Sequence, residues 1–332
     1  MILEKNKQPG VCYALTDDGV ELPVMDITHP AFVETASPEQ MAALAKDFLE
    51  FQKSPAFLRR FFSQHSIAMR GLDSASGKFL EGMTTYVAKL GPGVLGRGYA
   101  GIIDRKVAGG IGAVSFRLRL QDMAYLMAEE LGPLLAVKKE SALHLINIGG
   151  GPAMDSLNAL RLIQKEHPEW LAGRRIVIHV LDLDHAGPSF GARALAAWLE
   201  PGAPLHGLEI TFDARVYDWA NPAELRKLVD SLGAEGVTLG SSEGGLFEYG
   251  SSQAIVENLQ ALRAGLSAGG VMVGSIFRDG TISRWLQTTS KMPIRIFDVD
   301  DFRNLVGGAG WVIGRVNDGH PLYQVVSLKA AH

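Results

Sequence analysis

Cys12 is the only cysteine in 332 residues. A single thiol excludes an intrachain disulfide and a thiolate zinc cluster, and it fits a reducing compartment. Long apolar runs are also missing; none approaches the roughly 20 residues that a membrane-spanning helix needs. The opening residues, MILEKNKQPG, lack the apolar core of a signal peptide. Positive charge is not in excess: 32 Lys and Arg face 36 Asp and Glu, a net charge of −4. Binding a nucleic-acid backbone requires clustered Lys and Arg, so no nucleic-acid partner is expected. There is no internal repeat and no low-complexity segment. With 47% hydrophobic and 20% charged residues, the expectation is a globular, cytoplasmic protein with no membrane partner.

What is present is organised around LHLINIGGGPAMDSLN, residues 143 to 158. Leu143, Leu145, Ile146 and Ile148 form a short apolar run of the kind found in buried parallel strands. Gly149, Gly150 and Gly151 come next, and glycine permits both unusual backbone angles and close approach of a ligand. Pro152 suits the first turn of a helix. Met154, Leu157, Leu160 and Ile163 then recur at helical spacing. Strand, glycine turn, helix is the order that places a nucleotide at the carboxyl edge of an open α/β sheet. A tight turn with no ligand has the same local pattern, so the turn alone does not decide between the two.

Before this stretch the pattern is helical. Residues 1 to 36 read as irregular, with a short hairpin around Asp17, Asp18 and Gly19. Ser37-Pro38-Glu39-Gln40 has the form of a capping box. Met41, Leu44, Phe48 and Phe51 continue that helix, and a second starts at Ser54-Pro55. A third is predicted from about 76 to 90, with Phe79, Leu80, Met83, Tyr86 and Val87 on its apolar side. Residues 91 to 113 are rich in glycine and read as a lid or a linker, with Arg97, Tyr99, Asp104 and Arg105 among the glycines. A long helix is predicted from about 115 to 135. Arg117 and Arg119 in its first turns oppose the helix dipole, so a partner must hold them, either an acid in the fold or a bound carboxylate.

From Leu143 onward apolar strands and helices alternate. Strands are predicted at 176–181, 208–212, 236–240 and 271–276, then at 311–316 and 321–328 around the hairpin signal Asn317-Asp318-Gly319. This predicts a doubly wound, mostly parallel seven-stranded sheet with a C-terminal antiparallel hairpin. An N-terminal, mainly helical cap over 1–113 and a cofactor-binding domain over 114–332 are the expected units.

Asp182 and Asp184 end the second strand, where a carboxylate is placed to accept ribose hydroxyls. Asp182 is the first choice and Asp184 the reserve; Asp182 simply capping the next helix is the structural alternative. Asp218, after the third strand, is a candidate for the exocyclic amine of adenine, with Tyr217 and Trp219 beside it to pack on the ring.

On INIGGGPA, VLDLD, VYDW, LSAGGVMVGS and the closing helix and hairpin, in that order, the chain resembles the class I S-adenosylmethionine-dependent methyltransferases over about residues 140 to 330. Two positions depart from the family pattern. Asn147 stands where an acid is usual in the first strand, and Ala153 where a third glycine is common. The resemblance implies S-adenosylmethionine as cofactor, S-adenosylhomocysteine as product, and in-line methyl transfer. It implies cofactor contacts from Asn147, Gly149, Gly150, Gly151, Asp182, Asp184, Tyr217, Asp218, Trp219 and Ser242.

The loop SSEGGLFEYG after the fourth strand then lies near the transferred methyl. Glu243 and Tyr249 are the catalytic candidates, with Glu243 orienting or deprotonating an acceptor or balancing charge. Phe247, Glu248, Arg97, Tyr99 and Arg105 are the substrate-side candidates. No Asn-Pro-Pro-Tyr or Asp-Pro-Pro-Tyr motif succeeds the fourth strand, which disfavours the amine-methylating nucleic-acid families. No cluster of acids and histidines suggests a metal. The expected acceptor is a small, carboxylate-bearing or amino-acid-like metabolite methylated at S, O or N, on a chain that could form a homodimer. The rivals are an NAD(P)-dependent oxidoreductase, disfavoured by the hairpin and by the lack of a Tyr-x-x-x-Lys pair, and a protein that binds the cofactor without turnover.

Overall fold

The computed structural model describes residues 7–66, 82–95, 101–139, 141–232, 236–266, 270–289, 292–319 and 321–331. Phe79, Leu80, Arg97 and Tyr99 lie outside the described residues.

The sheet is built on β3 (Leu143–Ile148), whose six residues are all buried. Side chains alternate across a strand: Leu143 and Leu145 face one core, Ile146 and Ile148 the other. β4 (Arg175–Asp182) and β6 (Val237–Ser242) flank β3 in parallel. β5 (Glu209–Val216) lies outside β4, and β7 (Val271–Arg278) outside β6. β10 (Tyr323–Ala330) pairs antiparallel with β7, and β9 (Trp311–Asn317) pairs antiparallel with β10 at the edge. The order is therefore β5-β4-β3-β6-β7-β10-β9, and a two-residue β8 (Ile296–Phe297) pairs with the end of β7. The doubly wound sheet with its antiparallel hairpin is thus present as the alternation of elements predicts.

Helices cover both faces. The longest, α5 (Ile111–Val137), packs across β6, β7 and β10. It starts four residues before the expected Ser115 and runs straight through position 113. Leu22 and Met25, just before it Tyr86, and on it Leu120 and Met127 share one continuous core with Leu145 and Leu157. The N-terminal part is thus packed as an outer layer of the same core. It begins with the expected hairpin, β1 (Tyr13–Leu15) and β2 (Glu21–Pro23). Then come α1 (Pro38–Gln52), with the capping box of Ser37 and Gln40 formed in both directions, and α2 (Ala56–His65). α3 covers Gly82–Lys89 within the helix predicted from 76 to 90, the rest of which lies outside the described residues apart from Leu90.

The glycine-rich stretch from 91 to 113 is not wholly loop. It holds α4 (Ile102–Ala108), with Gly101 at its N-cap and Gly109 at its C-cap. Glycines that read as breakers here bound a helix instead. After β3 the helices run α6 (Met154–Glu166), α7 (Ala186–Leu199), α8 (Ala223–Leu232), the single turn α9 (Leu246–Tyr249), α10 (Ser252–Gly265), α11 (Thr281–Thr289) and α12 (Val299–Gly307). Periodicity does not predict α9 or α11, which are a single turn and a nine-residue helix. Among the described residues no helix is long and apolar enough to cross a membrane.

Candidate functional site

The ends of β3, β4 and β6 meet at one cavity. Its lining comes from Gly149, Gly150 and Gly151 after β3, Asp182 at the end of β4, and Glu243 and Gly244 after β6. Trp219 forms one side, and Gly82, Thr85 and Lys89 on α3 form the roof. Counted with its open mouth, the space is about 370 Å³.

Two glycines in the turn are required by geometry. Gly149 has φ +66°, and a side chain there would begin 2.6 Å from the Trp219 ring. Gly151 has φ +55°, and a side chain would begin 2.8 Å from the Cα of Gly82. The first turn of α3 thus rests backbone to backbone on the glycine turn, and the N–H of Gly82 donates to Asp184 Oδ2 at 3.3 Å. Ala153, where the family pattern has glycine, keeps the left-handed conformation (φ 54°, ψ 38°) and is fully buried.

Asp182 ties the turn to β4. Its Oδ2 accepts from the N–H of Gly151 and its Oδ1 from the N–H of Asp184, both at 2.8 Å. Burial pushes the carboxyl up to about 6 despite these two bonds. The N–H of Leu183 also acts on this carboxylate, and of about four acceptor positions at least one remains for a ligand hydroxyl. Asp184 behaves as a cap. It accepts from the N–H groups of Ala186 and Gly187 at the start of α7, and it does not line the cavity.

At the opposite end lies a buried ionic quartet. Lys89 Nζ donates to Glu243 Oε2. Arg119 Nε donates to Glu243 Oε1 at 2.8 Å, and its Nη1 donates to both oxygens of Glu248 at 2.9 and 3.1 Å. Ser275 Oγ donates to Glu248 at 2.6 Å, and the Arg119 guanidinium lies over the rings of Phe116 and Tyr323. Burial raises the Glu243 carboxyl, but Lys89 and Arg119 outweigh it and hold the group below the usual range. Burial pulls the Lys89 ammonium down, with Glu243 opposing. For Glu248 burial wins over Arg119 and Ser275, and the carboxyl is raised. Acids within the fold therefore hold the two helix-start arginines: Glu243 and Glu248 hold Arg119, and Glu34 holds Arg117 at 2.7 Å.

The remaining candidates are spread more widely. Asn147 is buried behind the turn. Its Nδ2 donates to Asp155 Oδ1 at 2.7 Å and Ser241 Oγ at 3.1 Å, and its Oδ1 finds no partner among the described residues. Asp155 is itself pushed up to about 6, first by burial and then by the charge of Glu243. Ser242 Oγ donates to the Ile148 carbonyl and accepts from the N–H of Leu246, which pins β6 to β3. Tyr217 faces the core, donating to Asn258 Oδ1 at 2.5 Å. Asp218 is exposed and accepts from the N–H of Ala220. Phe247 is fully buried against Phe302 and Gly274. Glu248 and Tyr249 are buried behind Glu243 rather than at the cavity wall. Arg105 is exposed on α4, away from the cavity lining.

Gly82, Thr85 and Lys89 line the cavity although none belongs to a recognisable sequence motif, and Gly244 lines it from within the SSEGGLFEYG loop. One sequence signal points to α3. Met83, Tyr86, Val87 and Leu90 form its apolar face, while Gly82, Thr85 and Lys89 recur at i, i+3 and i+7 on another.

No protein-family model matches the sequence, and no curated protein matches it significantly. Among solved structures it is similar to a possible exported protein from Bordetella parapertussis, at 16% identity and TM-score 0.54 over 80% of this chain and 86% of that one. It is also similar to 1,6-didemethyltoxoflavin-N1-methyltransferase from Burkholderia thailandensis, solved with 1,6-didemethyltoxoflavin and S-adenosylhomocysteine bound. That match has 14% identity and TM-score 0.41, over 64% and 79% of the two chains. An O-methyltransferase family protein from the same organism matches at 14% identity and TM-score 0.43, over 70% and 61%. At these identities the likeness is one of fold.

Proposed function

We propose that this chain binds S-adenosylmethionine over the glycine turn and transfers its methyl group to a small metabolite. The observation that carries the reading is the shared cavity: the glycine turn, the acid ending β4 and the loop after β6 face one another across a single space. The residues fit the cofactor. Asp182 keeps acceptor capacity for a ribose hydroxyl, Trp219 supplies an aromatic wall, and the unpartnered Asn147 Oδ1 lies directly behind the turn. Bound there, the cofactor would supply a sulfonium methyl group, whose transfer leaves a neutral thioether.

The chain's own residues orient the partners and exclude water. α3 roofs the cavity, and Trp219 narrows it beside Gly149. Glu243 serves better as a charge partner than as a base, because two cations hold its carboxyl below the usual range. The Tyr249 phenol is pushed far above its ordinary value by burial and is equally unsuited to take a proton. This favours an acceptor that is already nucleophilic, such as a thioether, thiolate, amine or carboxylate, which needs little base catalysis.

The test is calorimetric titration of the wild-type protein and of Asp182→Ala with S-adenosylhomocysteine and, separately, with NAD. Micromolar binding of the former, weakened at least about 30-fold in the variant, is the expected result. Binding of NAD alone, or of neither, overturns the reading.

A further inference from the structure

Lys89 is the least satisfied charged group in the cavity wall. Its side chain is 5% exposed. An ammonium carries three donors, yet among the described residues Lys89 has one hydrogen-bond partner, Glu243. Two N–H groups of a desolvated cation therefore lack acceptors there, and an unmade bond of this kind is costly. Glu243 is also incompletely used, since each of its oxygens accepts one bond while a carboxylate takes about four. A cation short of acceptors and an anion short of donors thus stand side by side at the end of the cavity opposite Asp182.

We propose that Lys89 and Glu243 form a receptor for an α-amino carboxylate, with Lys89 holding the carboxylate and Glu243 the ammonium, and that the zwitterion bound there is the methionine tail of the cofactor. Charge balance within the quartet favours a zwitterion. Lys89, Arg119, Glu243 and Glu248 sum to zero, so a zwitterion leaves the buried quartet neutral. A simple anion or cation would add an uncompensated buried charge. Asn147, on β3, is uncharged and cannot balance an ammonium, whereas Glu243, after β6, can. Arg119 is fixed by Glu248 and two aromatic rings and keeps Glu243 in place while Lys89 is shared with the ligand. Thr85, one turn before Lys89, shares its cavity-facing side of α3. The roof helix therefore participates in recognition as well as covering the site.

This inference rests on the cofactor reading, and one experiment separates the two. The full chain is titrated with S-adenosylhomocysteine and with 5′-methylthioadenosine, which shares the nucleoside and lacks the amino-acid tail. The variants are Lys89→Met and the double variant Lys89→Met with Glu243→Gln. The double variant removes one charge of each sign and keeps the remaining buried pair neutral, so it retains the fold if the single variant does not; circular dichroism checks this.

Wild type is expected to prefer S-adenosylhomocysteine by about 30-fold, the range of a charge-assisted contact. The double variant is expected to bind both ligands alike, with unchanged affinity for 5′-methylthioadenosine. A wild type without that preference, or a folded double variant that retains it, overturns the receptor and leaves the cofactor reading intact. A wild type that binds neither ligand overturns both.

Discussion

Asp182 and Glu243 make an instructive pair. Both are buried carboxylates at the ends of parallel strands that flank β3, and both face the same cavity. They differ in what surrounds them. Asp182 accepts two backbone N–H groups and is still pushed up to about 6. Glu243 accepts from two full cations and is held below its ordinary value. Burial penalises a charge by several kcal/mol; at these two positions a pair of dipoles fails to cancel the penalty, whereas a pair of cations exceeds it. The same cavity thus has one end poised to change protonation near pH 6 and one end locked in charge.

Arg119→Met should break the contrast most severely. It leaves Glu243 with Lys89 alone and Glu248 without a cation, and stability should fall by about 3–5 kcal/mol, read from urea unfolding.

A smaller effect separates the two acids by pH. The folded value of Asp182 lies above its ordinary 3.8. Its contribution to stability is therefore fully present below about 3.8 and is lost as pH rises through about 6. Asp182→Asn, which mimics the protonated form, should compare more favourably with wild type at pH 7 than at pH 4, by on the order of 2–3 kcal/mol. Glu243 has the opposite sign. Its contribution is present above the unfolded value of 4.5 and is lost as pH falls through its lower folded value, so Glu243→Gln should flatten the acid side of the stability curve.

Ligand affinity sharpens the comparison next. If ionised Asp182 accepts the ribose hydroxyls, affinity for S-adenosylhomocysteine should drop by up to about tenfold per pH unit below about 6 and level off above it. Asp182→Asn should bind weakly with little of that pH dependence. Calorimetry from pH 5 to 8 checks both.

The smallest effect concerns the turn between the two acids. Ala153 is an L-residue held at φ 54°, so Ala153→Gly should relieve strain worth about 0.5–1 kcal/mol, raising the urea midpoint slightly.

How legible the molecule was depends on distance along the chain. The strand-turn-helix at 143–158, the alternation after it and the closing hairpin are written in adjacent residues, through apolar runs, glycines and period. The candidate end of β4 was equally local, although Asp182 and Asp184, two residues apart, divide into a cavity wall and a helix cap only through backbone N–H groups that periodicity does not reveal. The other end was not legible. Lys89 meets Glu243 across 154 positions, and only the folded chain brings α3 over the glycine turn. Arg119 was visible as an anomaly, a basic residue at the wrong end of a helix, but its acids lie 124 and 129 positions away. Phe247 and Tyr249 share a loop with Glu243, yet the one-turn helix α9 directs them into the core.

The sheet order also bears on how the chain is made. β10 sits between β7 and β9, so the strand synthesised last among the three is the one that joins the other two. Between the end of β7 at Arg278 and the end of β10 at Ala330, a ribosome working at 5–20 residues per second needs about 3 to 10 s. For that interval the free edge of β7, apolar along most of its length, lacks the partner it will have in the finished sheet. That nascent edge is the stretch where a holding chaperone would have most to do.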